Sequence, residues 1–566
     1  MRESENPTPS ARPHVTWAAS LAILALACGL LAAAWPAASA LDATAAPAAA
    51  PARPSAAPAG GRIVVGVRGD VTSFNIYTAT NAFTQEISDL LFLRLAMEQD
   101  DFRDHPPGFC PALASSWEFS KDRRTLTFHL DPKARWSDGK AVTSSDVLFS
   151  HQAATSDAVA WVGKDVKELI SKVEAPDART VVYRFARPYP YALMDAAEGN
   201  ILPRRVYEPV LFADWPKKGF LEAPVGSGPF VLKRYERGAL IELQRNPAYL
   251  FAPRPRLDSV VFRILPDEAT LVNELLAGGI DVMENVPPDA AERVAASPRL
   301  RLVRVPDLSY TFVCWNTARP LFSDARVRRA LTLAIDRQAI VDGLLPGTGR
   351  VSTGPAISFL WSRDPALQPL PHDVEAARRL LAEAGWTDSD GDGLLDRGGA
   401  PFRFTLESNQ GSGLRADAAQ MIAAQLKPLG IEAVPRVIEF GAFVERHEKH
   451  DFDAFVGAWR ESTKVDLKSA FHSASKDGGY NYGSYSNPAV DAAIDQARGA
   501  ADAEAARPLW WRAQRLIVED QPLTFLFERD RLHAVPRRLE GFRADPRSAY
   551  TGLEEWSLAP TSEPAR

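Results

Sequence analysis

Residues 111–150 have the sequence PALASSWEFSKDRRTLTFHLDPKARWSDGKAVTSSDVLFS, and this stretch indicates the fold more clearly than any other. Leu126, Phe128 and Leu130 alternate with polar residues. An apolar residue at every second position is typical of a strand with one buried face. We therefore predict a strand here, after a charged turn.

A helix is predicted to follow the turn at residues 136–140. Either Thr143 or Ser144 can cap its first turn, because a hydroxyl oxygen accepts a hydrogen bond from a free backbone N–H group. Asp146 then lies near the positive end of the helix dipole, where a carboxylate is stabilising.

Helices with one apolar face alternate with short apolar strands along the rest of the chain. We predict helices at 84–97, 268–277, 325–340, 374–384, 416–429, 487–497 and 503–518, and strands at 62–67, 240–245, 260–265, 310–315, 431–437, 452–459 and 523–527. In the helix capped by Asp324, we expect the arginines to face solvent: Arg326, Arg328, Arg329 and Arg337. This alternation predicts an α/β fold built in layers.

The N-terminal residues predict export. Arg2 and Arg12 precede an apolar run over 15–35, and an Ala-Ser-Ala sequence ends at residue 40. We predict a signal peptide over residues 1–40, with cleavage after it. The alternative is an uncleaved anchor in the inner membrane, because the run is long enough to span a bilayer. Residues 41–61 are rich in Ala and Pro and predict a flexible linker.

Charge and cysteine content restrict the function classes. The 566 residues carry a net charge of −6, which does not favour nucleic acid as a partner. Beyond the signal peptide the cysteines are Cys110 and Cys314, and both a disulfide and two buried thiols fit an exported protein.

Four further motifs, taken with the opening stretch, carry a resemblance to a known family. They are Val225–Phe230 (VGSGPF), Gly278–Asp281 (GGID), Asn316-Thr317 with Phe322–Asp336, and Asn481–Asp491. In this order along residues 62–540, they resemble the family 5 extracellular solute-binding proteins. That family includes the oligopeptide- and dipeptide-binding receptors of ABC importers.

The resemblance implies a two-lobed periplasmic-binding-protein fold with discontinuous lobes, an extra subdomain and a hinge. By analogy, the first lobe comprises 62–110, 223–318 and 530–566, with a subdomain at 111–222, and the second lobe comprises 319–529. It also implies a periplasmic monomer, or one anchored to the outer face of the inner membrane, that serves an ABC permease.

The implied function is to close on a peptide or another small polar solute and to deliver it to the permease. The alternative ligands are a metal complex, a sugar or an opine-like solute. An exported hydrolase or an anchored sensor is a further alternative. We predict no enzyme activity, because the chain has neither a Gly-x-Ser-x-Gly elbow nor a His-Glu-x-x-His motif.

Trp459, at the end of a predicted strand, matches a cleft-lining Trp of the peptide-binding relatives; its alternative role is core packing. In those relatives an Asp three residues later pairs with the peptide's α-amine. The matching residue here is Ser462, which puts peptide binding in question. Glu461 is the alternative partner for a buried ammonium group, which requires a counter-charge. Otherwise Glu461 is a solvated loop acid, and Asp466 is expected to cap the next helix.

Four aromatic residues complete the predicted ligand contacts. Tyr480 and Tyr482 follow a Gly pair, and each offers an apolar face with a polar tip. Tyr77 and Trp315 are weaker candidates, with core packing as their alternative role.

An acidic loop is a candidate metal site. Asp388, Asp390 and Asp392 occupy alternate positions as in a calcium-binding loop, but Gly399 stands where the loop's final Glu is expected. Calcium and an ordinary acidic turn both fit, and no other cofactor is predicted. His447 and His450 lie three residues apart and make a weak metal pair.

Overall fold

A computed structural model describes residues 60–560 of the chain. Its strands, labelled in chain order, are β1 Arg62–Val67, β2 Ala96–Glu98, β3 Phe109–Pro111, β4 Ala114–Phe119, β5 Thr125–Leu130, β6 Ile170–Asp177, β7 Thr180–Phe185, β8 Phe230–Glu236, β9 Leu240–Arg245, β10 Ser259–Ile264, β11 Val282–Met283, β12 Leu300–Trp315, β13 Gly349–Val351, β14 Asp396–Arg397, β15 Ala400–Pro401, β16 Arg403–Asn409, β17 Glu432–Ile438, β18 Ala454–Arg460, β19 Leu523–Pro536, β20 Leu539–Glu540 and β21 Ser557–Leu558.

The α-helices pack on the sheets formed by these strands. They are α1 Ala82–Leu91, α2 Ser144–Thr155, α3 Ala192–Ala197, α4 Arg204–Tyr207, α5 Trp215–Lys218, α6 Glu268–Ala277, α7 Pro288–Ala295, α8 Ala325–Ala334, α9 Arg337–Leu344, α10 Val374–Glu383, α11 Gly413–Leu426, α12 Phe440–Glu448, α13 Lys468–Phe471, α14 Pro488–Arg498 and α15 Ala503–Asp520.

One mixed sheet of eleven strands forms the centre of the described chain, in the order β17-β16-β18-β12-β19-β11-β1-β10-β9-β8, with β13 paired to β19. Strand β1 runs parallel to β10 and β11, and β16 runs parallel to β17 and β18. Separate apolar cores lie beside β16 with α8 and α11, and beside β11 with α6 and α7. These layers of sheet and helix confirm the predicted α/β class.

Two long antiparallel strands, β12 and β19, join the two ends of this sheet. Leu300–Val305 pairs with Arg531–Pro536, whereas Tyr310–Cys314 pairs with Leu523–Glu528. The register shifts between Pro306 and Tyr310. Proline lacks the N–H group that a ladder requires, so a bulge here is expected.

The opening stretch folds as predicted. Strand β5 buries Leu126, Phe128 and Leu130 and belongs to a four-stranded antiparallel sheet, β4-β5-β7-β6. Helix α2 begins after Thr143, whose side chain accepts from the backbone of Asp146 while the Asp146 carboxylate accepts from the backbone N–H of Thr143. This reciprocal capping box fixes where the helix starts.

The VGSGPF motif lies against the end of α1. A Cβ atom added at Gly226 would lie 2.0 Å from the carbonyl oxygen of Leu91, and one at Gly228 would lie 2.4 Å from that of Leu90. Between them, the Ser227 hydroxyl accepts the backbone N–H of Leu93. The motif is therefore a close backbone contact that only glycine permits.

Four predicted elements differ from the structure. The helix predicted over 325–340 is two helices, α8 and α9, because the backbone turns extended at Ile335. The helix predicted over 84–97 ends at Leu91, because the chain turns extended at Phe92 to meet the VGSGPF motif. Strands β12 and β19 are far longer than the predicted 310–315 and 523–527. Their charged residues interrupt the apolar pattern, but the folded chain pairs those charges.

The predicted exposure of Arg328 and Arg337 is wrong. Both side chains are buried. The Arg328 guanidinium donates to the carbonyl oxygens of residues 322, 323, 520 and 521. Arg337 donates to the carbonyl oxygen of Phe525, and burial lowers its pKa to about 10. Each arginine therefore satisfies carbonyl oxygens at the ends of segments that are distant in the sequence.

Both cysteines within the described range are free, and Cys314 is buried in β12. The predicted signal peptide, and the linker up to residue 59, lie outside the described residues. Between residues 60 and 560, we find no helix with the length and hydrophobicity needed to cross a bilayer.

Replacing Arg328 with Met should lower the free energy of unfolding by about 3 kcal/mol, because several buried carbonyl groups lose their donor. Chemical denaturation measures this loss. Arg329→Met is the matched control, since Arg329 is only partly buried and its side chain makes no hydrogen bond within residues 60–560. Equal stability of the two variants would contradict the structural role of Arg328.

Candidate functional site

A cavity of about 850 Å³ lies beside the carboxyl end of β18. One wall comes from residues 165–195, in the predicted subdomain. The floor is β18 with the loop after it, and the remaining walls come from α11, α12 and the loop at 480–482. Segments far apart in the sequence thus enclose a space that is large enough for a small organic solute.

Trp459 forms part of the floor. Its ring packs against Phe312 at 4.4 Å between centroids and meets Phe471 edge-on at 6.0 Å. The side chain remains partly exposed and lines the cavity. Trp459 therefore combines the two predicted roles: one part of the ring belongs to the core and another part faces the cavity.

Glu461 also lines the cavity, two residues further on. Its backbone N–H donates to the carbonyl oxygen of Leu308, 2.6 Å away, which ties it to the irregular part of β12. Its carboxylate makes no hydrogen bond or ion pair with any residue of the described chain. Burial, with the charge of Asp466 as a smaller contribution, raises the pKa of Glu461 to about 7. The cavity thus contains a carboxylate that lacks a counter-charge.

Ser462 and Asp466 have other partners. The Ser462 hydroxyl donates to the carbonyl oxygen of Lys464 at 2.9 Å. Asp466 accepts from the backbone N–H of Lys468, at the start of α13, as expected, and it pairs with Arg498 at 3.1 Å. Of the residues weighed as partners for a ligand ammonium, Glu461 is the one whose carboxylate stays unpaired.

The two tyrosines that follow the Gly pair lie at the cavity. Tyr480 is exposed and meets the partly buried Tyr482 edge-on at 6.1 Å. Asn481 between them points inward, where its amide bonds the carbonyl oxygens of His472 and Tyr485. Asn481 is therefore a structural turn residue, while its neighbours line the cavity.

Tyr77 and Trp315 lie away from this cavity. The Tyr77 hydroxyl donates to the carbonyl oxygen of Asn200, and its buried ring packs edge-on against Trp161. Trp315 is fully buried and donates to the Thr524 hydroxyl at 3.0 Å. Their positions favour the alternative role, core packing. Their burial was not predictable from the sequence, because aromatic residues beside loops occur both in packed cores and at binding surfaces.

Polar contacts that no local sequence pattern indicated bridge the cavity walls. Lys464, in the loop after β18, pairs with both carboxylate oxygens of Asp195, at 2.8 and 3.0 Å. Its ammonium group also lies 5.5 Å from the ring centre of Tyr191. Next to it, the Thr463 hydroxyl donates to Glu98. Burial raises the pKa of Asp195, although the lysine opposes this effect.

An aromatic patch on α12 and β18 was also missed. Phe443 and Phe455 line the cavity, and His447 stacks on Phe455 at 3.9 Å. The ring of His447 faces Glu407 at 3.3 Å, and burial lowers the pKa of this histidine. His450 instead lies beside the carbonyl oxygen of Tyr482. Each imidazole of the weak metal pair therefore has its own protein partner.

The acidic loop is exposed. Carboxylate oxygens of Asp388, Asp390 and Asp392 lie within 4.8 Å of one another. Asp388 also accepts from the backbone N–H groups of Gly391 and Gly393, contacts that hold an ordinary acidic turn together. Calcium binding at this loop stays a prediction.

Comparisons with known proteins match nearly the whole described chain. A family model described as bacterial extracellular solute-binding proteins, family 5 Middle, matches residues 108–481. The oligopeptide-binding protein AppA of Bacillus subtilis (strain 168) is 33% identical over 509 residues, which cover 88% of this chain and 92% of that protein. A probable di/tripeptide-binding protein 5 of Pseudomonas aeruginosa is 28% identical over 500 residues, covering 84% and 91%.

Solved structures agree. The Bacillus subtilis AppA structure, in complex with a nonapeptide, superimposes with a TM-score of 0.74 at 32% identity and covers 89% of this chain and 100% of that chain. The substrate-binding protein CtaP of Listeria monocytogenes superimposes with a TM-score of 0.79 at 22% identity. The match covers 89% of this chain and 100% of that chain, which shows a shared fold.

Replacing Asp195 with Asn should lower the free energy of unfolding by about 2 kcal/mol, because Lys464 then keeps a charge without a counter-charge in a largely buried position. Chemical denaturation measures the change. Glu432→Gln is the control, since it breaks the solvent-exposed pair with Arg403 and should change little. If the two variants are equally stable, the ion pair of Lys464 with Asp195 contributes no more to the free energy of unfolding than a surface ion pair does.

Proposed function

Because this chain belongs to family 5 of the bacterial extracellular solute-binding proteins, we propose that it is a peptide-binding receptor of an ABC importer. The chain has the two-lobed α/β fold of that group. In this function it closes on its ligand outside the cytoplasm and delivers it to a permease in the inner membrane. The relatives named above as oligopeptide- and di/tripeptide-binding proteins support this ligand class.

The observation that carries the proposal is the cavity floored by Trp459 and Glu461. Its aromatic walls can cover the apolar parts of a peptide, and a small number of polar groups can set its orientation. A peptide's α-ammonium group needs a counter-charge once it leaves water. The unpaired Glu461 supplies that charge, so the absence of an acid at Ser462 does not exclude a peptide.

The arrangement of lobes forms part of the proposal. We place the first lobe at 62–110, 223–318 and 530–566 with its subdomain at 111–222, and the second lobe at 319–529. The cavity supports this division because its lining combines residues 165–195 and Phe312 of the first lobe with residues from 409–498 of the second. Strand β19 crosses the boundary between residues 529 and 530 at the place where its register with β12 shifts, and we infer that this crossing provides the hinge. A ligand that touches both lobes then favours the closed form.

The remaining assignments follow from the same proposal. We infer export by the signal peptide over 1–40, a monomeric receptor, no required cofactor and no chemical change to the ligand. A ligand that is released from the protein should therefore have the same mass as before it was bound.

Native mass spectrometry of the exported protein should detect bound peptides of various lengths. Denaturation should release them for identification, and an added peptide should be recovered unchanged. A single non-peptide mass would replace the peptide by another solute class, whereas hydrolysed peptide would contradict the receptor function.

Peptide affinity should depend on pH through Glu461. The pKa of this carboxyl is about 7 without ligand, and a bound ammonium group favours the ionised form. Affinity should therefore rise by roughly fivefold from about pH 6 to pH 7, and it should fall again above about pH 8, where the peptide's own α-amine loses its proton. Titration calorimetry of one captured peptide across this range measures the effect.

Glu461→Gln should weaken binding and remove most of this pH dependence. Glu448→Gln is the control, because Glu448 is exposed on α12 and lies outside the cavity lining. An unchanged pH profile in Glu461→Gln would show that another group holds the ligand's cation.

A further inference from the structure

The connection between β13 and α10 contains a buried segment without helix or strand, residues 352–364, which we call the strap. No residue of the strap is exposed, and Trp361 retains 3% of its accessible surface. The strap does not line the cavity. A connection of this length without secondary structure is uncommon and usually functional, and loops generally run over the surface. The burial of the strap therefore calls for a role apart from the solute.

Polar contacts attach the strap to residues that we assign to the second lobe. The Ser358 hydroxyl donates to the buried carboxylate of Glu528, in β19, at 2.6 Å. The Gln514 side chain, in α15, accepts from the backbone N–H of Asp364 at 3.1 Å and donates to the carbonyl oxygen of Ser362 at 2.8 Å. The strap is thus a fixed part of the second lobe.

The strap also contacts residues 102–104, which we assign to the first lobe. The backbone N–H of Trp361 donates to the carbonyl oxygen of Phe102 at 3.0 Å. Arg507 of α15 lies 5.4 Å from the centre of the Trp361 ring and donates to the carbonyl oxygen of Asp104 at 3.1 Å. The two lobes therefore meet at a place that is separate from the cavity lining.

Two side-chain contacts extend this meeting of the lobes. The Arg103 guanidinium lies 5.4 Å from the ring centre of Phe359, a cation–π distance. The Thr463 hydroxyl donates to Glu98 at 2.9 Å, and the Thr463 carbonyl oxygen accepts from Nε1 of Trp361 at 3.0 Å. The strap is thereby joined to the loop that forms the floor of the cavity.

The first-lobe side of this contact is held in place by Arg547. Its guanidinium donates to the Glu98 carboxylate at 3.2 Å and lies 4.9 Å from the ring centre of Phe102. Asp545 pairs with the same arginine at 2.6 Å. The groups that receive the strap are thus positioned by the first lobe itself, which lowers the entropy cost of the contact.

We propose that the strap is a latch, which stabilises the closed arrangement of the lobes from outside the cavity and thereby raises the affinity for every solute. Its contacts involve protein groups alone, so they favour closure whichever solute is bound. A solute that requires the closed form binds more tightly as the closed fraction rises. This inference rests on the lobe division of the proposed function, and it adds a determinant of affinity that does not touch the ligand.

Two substitutions weaken the latch with little change in shape. Thr463→Val removes the hydroxyl that bonds Glu98, and Arg507→Gln removes the guanidinium that bonds Asp104. Arg507 also pairs with Glu504 of its own helix at 3.0 Å, an exposed pair that contributes little to stability.

Arg512→Gln is the matched control. Arg512 is exposed on the same helix, and its side chain makes no hydrogen bond within residues 60–560.

The probes are peptides that the protein itself selects. The full exported protein is incubated with a tryptic digest of casein, and three retained peptides of different sequence are identified by mass spectrometry and synthesised. Calorimetry then measures each peptide against the wild type and the variants.

We expect each latch variant to bind all three peptides about fivefold more weakly than the wild type. The factor should be the same for each peptide, because the closing equilibrium changes while the contacts with the peptide do not. Arg512→Gln should bind as the wild type does.

Small-angle X-ray scattering tests closure directly. Without peptide, the latch variants should have a larger radius of gyration than the wild type, and saturating peptide should restore the wild-type value. A general folding defect would not be reversed in this way.

Several results would overturn the latch and leave the receptor function standing. These are latch variants that bind all three peptides as tightly as the wild type, a loss that differs from peptide to peptide, or an unchanged radius of gyration. If the wild type retains no peptide from the digest, the proposed peptide function fails. Scattering then decides about the latch alone, since a larger radius of gyration in the variants supports it and an equal one overturns it.

Discussion

The buried carboxylate of Asp307 is the interaction on which the rest of the structure depends. It lies in the irregular part of β12, where the register with β19 shifts. Arg460 of β18 approaches it at 3.0 Å, and Arg529 and Arg531 of β19 approach it at 3.5 Å. One carboxylate therefore forms ion pairs with arginines from both strands that flank β12. Without it, like charges would face one another where the central sheet is least regular.

This cluster also fixes the floor of the cavity. Trp459 pairs with Tyr310 and Arg460 pairs with Ser309 across the ladder of β18 and β12. Glu461 continues the contact through its bond to Leu308. The residues assigned to ligand binding are thus attached directly to the strand that joins the two ends of the sheet. A force on the ligand side of β18 is therefore transmitted to the bulge through these backbone contacts and through the ion pair of Arg460 with Asp307.

Local patterns made much of the fold predictable. The alternation at Leu126–Leu130 and the cap at Thr143 depend on neighbouring residues, so the sequence alone indicates them. The burial of Arg328 depends on carbonyl groups about 190 residues away, which no local pattern records. The polar middles of β12 and β19 were missed for the same reason, because each charge there is paired only after folding.

The candidate site, like the fold, combines residues that the sequence indicates with residues that it does not. Trp459 was predictable because it matches a cleft-lining Trp of the family that the chain resembles, and Glu461 because it is the acid next to Ser462, where that family has an Asp. The strap was not predictable, since nothing near Trp361 in the sequence indicates that it contacts Phe102. Tyr77 and Trp315 show the converse: their surroundings suggested a binding surface, and the structure places both within packed cores.

The glycines at 226 and 228 have a further consequence for how such a protein can change over time. They accept no side chain because backbone oxygens of α1 occupy the space, so these positions report the scaffold and contain no information about the solute. The charged residues that face the cavity lie elsewhere, Glu461 among them, and take no part in that contact. Scaffold signature and ligand preference are thus encoded by separate residues. One receptor architecture can therefore be retained while its cargo is exchanged.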